Sequence, residues 1–251
     1  MKKLRTVGYA LSALVVLSAC KEDKVDDPVE PVQPLLRITV QPTYGSETLY
    51  LDSTYITPEG YEVQFTELRF YMGEPANNGI SFMDAALFDY RERGNLLAEV
   101  VGKHEDFPAL QGFLGIASSS NHADPAAFPN ASMLNIANAN DMHWGWSNGY
   151  IFMKVEAKVD TIQDGIPLFD HNVVFHIGGD ENLKSLNFPN VTWSDLGGVH
   201  AFALRLDMLN FLGNGSTSID LKTEFTSHSA PGQEALSDKV ISNFTASLSP
   251  L

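Results

Sequence analysis

Ile151-Phe152-Met153-Lys154-Val155-Glu156-Ala157-Lys158-Val159-Asp160 decides the fold. Ile151, Met153, Val155, Ala157 and Val159 alternate with Lys154, Glu156, Lys158 and Asp160. Successive side chains of a strand point to opposite faces, so this period of two marks a half-buried β-strand. The pattern recurs at Val173, Phe175 and Ile177, at Phe202, Leu204, Leu206 and Met208, and at Ile219, Leu221, Thr223 and Phe225. Val63 and Phe65 share a parity that slips near Thr66-Glu67 before Leu68, Phe70 and Met72, as a β-bulge would make it. Pro58-Glu59-Gly60, Gln163-Asp164-Gly165 and Gly213-Asn214-Gly215 supply turn chemistry between such runs. After Pro231-Gly232, the spacing of Ala235, Leu236, Val240, Ile241 and Phe244 predicts a helix over Gln233 to Phe244. The expected fold is mainly β: an antiparallel β-sandwich with a long irregular loop and a short C-terminal helix.

The composition excludes several functions. The chain has 251 residues, with 31 Asp+Glu against 16 Lys+Arg and a formal charge of -15. Phosphate binding needs a surplus of cationic side chains, so nucleic acid is excluded as a partner. The single cysteine rules out an internal disulfide and a Cys-rich metal cluster. With 44% hydrophobic and 10% aromatic residues, the chain can build a core. A domain of about 215 residues buries roughly 70% of its unfolded surface.

Residues 1–19 read as an export signal, with Lys2, Lys3 and Arg5 ahead of a mostly apolar Val7 to Leu17 that is too short to span a bilayer. Leu17-Ser18-Ala19-Cys20 resembles the bacterial lipobox, which makes Cys20 the expected lipid anchor rather than a thiol catalyst. Residues 20–34 combine charge with Pro28, Pro31 and Pro34 and read as a flexible acidic tether. The acidic cluster behind Cys20 resembles the surface-export signal of Bacteroidetes lipoproteins; a tether facing the periplasm is the other reading. The expected location is the outer membrane, facing the periplasm or the cell surface. Residues 35–251 are the expected β-sandwich domain, and loss of the signal brings the formal charge to about -18.

Ser118 to Asp141 is polar and aperiodic, a long connection of the kind that is either functional or a plain surface loop. The next stretch, Asp141-Met142-His143-Trp144-Gly145-Trp146-Ser147-Asn148-Gly149-Tyr150, holds two of the three tryptophans. Asn148-Gly149 is a two-residue hairpin signal that would set Trp146 against Ile151 and Trp144 against Met153. The following hairpin would set Lys154 near Val174 or His176. His143 and His176 would then lie two strands apart, with α-carbons about 10 Å from each other, close enough to share a metal. Lys154 would lie between them and repel a cation. If the chain instead ran straight through Asn148-Gly149, the two histidines would be roughly 25 Å apart.

Imidazole nitrogen with Met142 sulfur is a soft donor set suited to Cu(I), with Asp141 or Asp180 as acceptor for the second ring N–H. The competing readings are a solvent-facing strand histidine at position 176 and core packing for Trp144 and Trp146. His122 and His228 read as surface residues or distant ligands, and His200 as a strand-end residue near the core. Asp180-Glu181-Asn182 reads as a solvated turn or an oxygen site for calcium. Gly145-Trp146-Ser147-Asn148-Gly149 fits a nucleophile elbow, but that motif needs a helix after it and a strand pattern follows. The chain is therefore read as a non-enzyme, with a metal-free module that holds a glycan, peptide or protein as the alternative to copper binding.

Met142-His143-Trp144-Gly145-Trp146, with Gly149-Tyr150-Ile151-Phe152-Met153-Lys154 and Glu156, resembles the signature of the MbnP-like family. Phe175-His176-Ile177-Gly178, Leu68-Arg69-Phe70-Tyr71 and Leu114-Gly115-Ile116 followed by Asn121-His122-Ala123-Asp124-Pro125 are similar to its other motifs in the same order. The resemblance implies a secreted or lipid-anchored β-sandwich from bacterial copper-handling systems. It implies copper held by histidines with a tryptophan oxidised to kynurenine by a di-haem peroxidase-like partner. His176 and one of Trp144 or Trp146 match ligand positions. His143 stands where the family more often has another residue, and Gln41-Pro42-Thr43-Tyr44-Gly45 lacks the family's early histidine.

Overall fold

The computed structural model describes residues 34–145, 148–169, 171–213 and 215–251. The export signal, Cys20, nearly all of the tether and Trp146 lie outside the described residues.

The chain is mainly β. One sheet is built on β1 (Leu35–Tyr44). It is flanked by β4 (Leu96–Val101), which is antiparallel, and by β9 (His200–Asp207), which is parallel. The other sheet runs β8 (Lys184–Phe188), β5 (Leu110–Leu114), β2 (Glu62–Asn77), β6 (Ile151–Asp160) and β7 (His171–Gly178). A further strand, β3 (Ala85–Asp89), pairs with β2. Thr226–Ser227 adds a short parallel pairing beside β7. The sheets are thus mixed rather than wholly antiparallel.

The alternation read in 151–160 is what packs. Met153, Val155, Ala157 and Val159 join Phe175 and Ile177 of β7 in one core with Val40, Phe202 and Leu204 of the first sheet. The predicted bulge is present, as the β2–β6 register shifts between Phe65 and Glu67. The C-terminal helix is Glu234–Ser247, and its Val240, Ile241 and Phe244 enter the same core.

Two expectations fail for a local reason. Met208 does not extend its strand, because the Asp207 carboxylate caps a helix, Met208–Leu212, by accepting from the Leu209 and Asn210 amides. Ile219 to Phe225 is not a strand. Asp220 folds that run into a turn: its carboxylate accepts from the Lys222 amide and the Thr223 hydroxyl, and its carbonyl accepts from Thr223 and Glu224. Ile219 and Leu221 are buried all the same. Alternation reported their burial, and a capping carboxylate overrode the conformation.

Ser118 to Asp141 is a cover, not a decorative loop. It contributes Leu134 and Ala139 to a second apolar cluster with Tyr71, Leu87, Met142, Tyr150, Ile151 and Phe152. The Tyr71 hydroxyl donates to the Met133 carbonyl at 3.0 Å, and the Tyr150 hydroxyl donates to that of Leu134. Burial pushes the Tyr150 hydroxyl pKa up to about 12, so it stays a donor at every physiological pH. A segment poor in apolar residues therefore packs through a few anchors and many side chain–backbone bonds.

Candidate functional site

The turn ahead of β6 sits earlier than Asn148-Gly149 predicts. His143 pairs with Tyr150, the Trp144 amide donates to the Gly149 carbonyl at 3.0 Å, and the Asn148 amide donates to that of Gly145 at 3.2 Å. The predicted facing of Trp144 with Met153 is therefore replaced by a register four residues shorter. Gly149 explains part of the shift. Its φ is +70, and a Cβ there would lie 2.3 Å from Asn121 Oδ1 and 2.7 Å from the Asn121 carbonyl oxygen. Asn121 itself accepts from the Tyr150 amide at 2.8 Å, which anchors the strand entry to the Ser118–Asn121 helical turn.

The two expected histidines are consequently not brought together. His143 packs edge-on against Tyr150, with ring centroids 4.6 Å apart. Its Nδ1 accepts the Gly145 amide at 3.0 Å, so in the neutral ring Nε2 carries the proton. That Nε2 is buried without a partner among the described residues, and burial lowers the imidazole pKa. Met142, the expected sulfur donor, is fully buried in the second apolar cluster.

His176 has different company. It lies on β7 opposite Lys154, on the face away from Phe175 and Ile177, and its side chain is 17% exposed. Its Nε2 meets Glu156 Oε1 at 2.8 Å, and Lys154 Nζ meets the same oxygen at 3.3 Å. Glu156, rather than Asp141 or Asp180, is thus the acceptor for the second ring nitrogen. Lys154 lies beside His176 as expected, but its ammonium is tied to that carboxylate. Burial pushes the Glu156 carboxyl up, yet the His176 hydrogen bond and the Lys154 charge outweigh it and hold its pKa below the usual value. Burial lowers the His176 pKa, the Glu156 bond opposes that, and Lys154 adds to it.

His228, expected only as a surface residue or distant ligand, is the neighbour that matters most. Val174 pairs with Thr226 and Phe175 with Ser227 in parallel register, so the next step sets His228 beside His176. Their ring centroids are 5.1 Å apart at 82°. No periodicity announces this contact, because the two residues are 52 positions apart and the pairing is two residues long.

His228 also lines a cavity of about 620 Å³ with Trp144, His122, Asp180 and Glu181. Trp144 reaches it over Gly178, where a Cβ would lie 2.7 Å from the indole Cζ3 and 2.5 Å from the Tyr150 carbonyl oxygen. Asp180 accepts from Ser118, from Asn121 at 2.9 Å and from His122 at 3.2 Å. Burial raises the Asp180 pKa, and these bonds more than reverse it. Asp180 is therefore spent on holding the cavity wall, and Asn182 donates to the Gly178 carbonyl at 2.7 Å, an arrangement that builds a turn rather than a calcium site. Past Gly149 the chain enters β6 and not a helix, so the nucleophile-elbow geometry is not met.

A family model described as MbnP matches residues 33–230. The chain belongs to that family. The resemblance read from the motifs is borne out, as is the mainly β fold. Among solved structures, MbnP from Methylosinus trichosporium is 14% identical, with 86% of this chain and 97% of that one covered and a TM-score of 0.45. No curated protein matches the chain.

In this MbnP-family chain the residues fit a soft ion of low coordination number. Glu156 holds Nε2 of His176 and leaves Nδ1 with its lone pair, the arrangement in which a carboxylate orients a ligating imidazole. His228 would present a second ring, its centroid 5.1 Å from that of His176. Among the described residues no group of three or more His, Cys, Asp or Glu side chains is placed to hold a metal.

Proposed function

We propose that the protein is a copper-binding member of the MbnP family, held outside the cytoplasm by a lipid on Cys20 and without catalysis of its own. The observation that carries this reading is the His176–His228 pair. One imidazole is oriented by Glu156 at 2.8 Å, and the other lies 5.1 Å from it at the edge of a cavity lined by Trp144. His176 and His228 would hold Cu(I), and bound copper would supply a soft electrophilic centre for transfer to or from a partner. Trp144, which lines the same cavity as His228, would join them, either as an indole wall or, after oxidation by a di-haem peroxidase-like partner, as kynurenine.

The expected set of His143, Met142 and His176 is revised accordingly. His143 and Met142 support the turn and the apolar cluster, and Trp146 keeps its place as the alternative site of oxidation. Copper acquisition or homeostasis at the outer membrane is the role that such a site would serve, on the periplasmic or the outer face. The test is competition for Cu(I) against a chromophoric chelator with the full chain. About one ion per chain and its loss in both His176→Ala and His228→Ala are expected; no uptake at micromolar copper overturns the reading.

The size of the cavity favours one second reading, since about 620 Å³ is more room than one ion needs. A metal-free module would use Trp144 and His122 to hold an organic ligand or a partner segment. Ligand binding that survives a strong Cu(I) chelator and the His176→Ala change would favour it.

A further inference from the structure

The second large hollow of the domain lies away from the histidines, between β3, β4 and the 129–133 segment. It has a volume of about 490 Å³ and is walled by Met83, Ala85, Ala86, Leu97, Ala98 and Met133, with Arg93 among them. That volume falls in the range of small-molecule sites, which are mostly apolar with a few placed polar groups.

Arg93 is the unusual member. Of the arginines among the described residues, Arg37, Arg69 and Arg91 each sit against a carboxylate, and Arg205 does not. No carboxylate reaches Arg93 among the described residues. The guanidinium is half-buried and positioned instead by one neutral bond, Nη1 donating to the Leu87 carbonyl at 2.7 Å, with Met133 Sδ at 3.6 Å. Of the acids at the rim, Glu99 is engaged by Arg37 at 2.6 Å and Asp84 is exposed. A partly desolvated cation with donors to spare, set in an apolar wall, calls for an anion that brings its own apolar body.

We propose that this hollow binds a soluble amphipathic monocarboxylate, a short- or medium-chain fatty acid in chemical class. Arg93 takes the carboxylate, and Met83, Leu97 and Met133 cover the chain. The site is independent of the copper reading, because it shares no residue with the cavity at Trp144.

The probe is octanoate labelled with ¹³C at the carboxyl carbon, titrated into the full chain by NMR, with octanol and octylammonium as isosteric comparisons. Saturable octanoate binding is expected, with octanol and octylammonium weaker by about tenfold or more, the worth of one charge-assisted contact. Arg93→Gln should lose about as much. Because that change also frees the Leu87 carbonyl, Ala131→Trp is the second variant. Ala131 is exposed at the mouth, so the folded variant should close the hollow and abolish binding. Equal affinity for octanoate and octanol, unchanged binding in Arg93→Gln, or full binding in folded Ala131→Trp each overturns the proposal. So does Arg93-dependent association with phosphatidylglycerol vesicles in a chain that ignores octanoate, since the arginine then reads a lipid surface.

Discussion

His143 and His176 begin as equals, two imidazoles from β-rich segments of similar aromatic character, and end as the same tautomer with opposite nitrogens engaged. At His143 the backbone of a tight turn takes the free lone pair: the Gly145 amide donates to Nδ1 and leaves a protonated Nε2 buried against Tyr150. At His176 a side chain engages the other nitrogen: Glu156 accepts from Nε2–H and leaves the lone pair on Nδ1. Burial alone does not distinguish them, since it lowers the pKa of both. What separates a candidate ligand from a structural histidine is which nitrogen the local hydrogen bonds have already used.

The largest effect expected from this difference is on copper. His176→Ala should remove Cu(I) binding, with affinity falling more than about a hundredfold, because the loss of an oriented ligand exceeds the tenfold to hundredfold typical of its supporting partner. His143→Ala should leave affinity within about threefold, well inside one charge-assisted contact. A chelator competition series on the two variants reads both numbers. Equal losses would mean that the turn at 143–150 rearranges around the metal, and the contrast would collapse.

Glu156→Gln should give the intermediate result. A carboxamide of the same shape still accepts from Nε2 but lacks the charge that makes the imidazole a better donor. Copper affinity should fall about tenfold to a hundredfold while the fold persists. If Glu156→Gln matches wild type in the same competition assay, the carboxylate serves Lys154 and not the metal.

How far the sequence could have led to this pair is clear from its parts. Period-two alternation places Phe175 and Ile177 inside and His176 outside, and the hairpin sets Lys154 near Val174 or His176, of which β6 and β7 adopt the second. Glu156 stands in the motif at 149–156, but nothing in the sequence marks it as a partner of His176. Its contact with His176 is diagonal across two strands, one step from the Glu156–Val174 pair, and depends on side-chain direction. His228 reads from the sequence as a surface residue or distant ligand, but its place beside His176 does not, because a two-residue parallel pairing at Thr226–Ser227 leaves no pattern in a chain of 251 residues. The hairpin at Asn148-Gly149 misled for a related reason. The dipeptide is a true turn signal, but the Asn121 contact with Gly149 and the Tyr150 amide is nonlocal and sets the register.

Stability should invert the order expected for copper. His143→Ala exposes the Gly145 amide and opens a gap beside Tyr150, so about 1–3 kcal/mol is expected from the unmet donor in a partly buried setting. His176→Ala removes a ring that is 17% exposed and leaves Glu156 with Lys154 at 3.3 Å, and should cost less than the His143 change in the metal-free chain. Urea unfolding of the two variants without copper gives the comparison. A larger loss at position 176 would show that the histidine is there for the sheet.

The finest test follows from proton binding in the metal-free chain. Both histidines have folded pKa values below the ordinary 6.5, so the folded chain binds fewer protons than the unfolded one between the two values. Each therefore contributes stability that is complete above the unfolded pKa and is lost as pH falls toward the folded one. The causes differ. His143 is lowered by burial alone, whereas at His176 burial and Lys154 act against the Glu156 bond. Glu156→Gln should hence push the His176 pKa further down and widen its window of acid sensitivity, while His143 stays where it is. Titration of the two imidazole Cε1–H signals by NMR reads this directly. A rise at His176, or any movement of His143, would show that the two rings are coupled through the sheet after all.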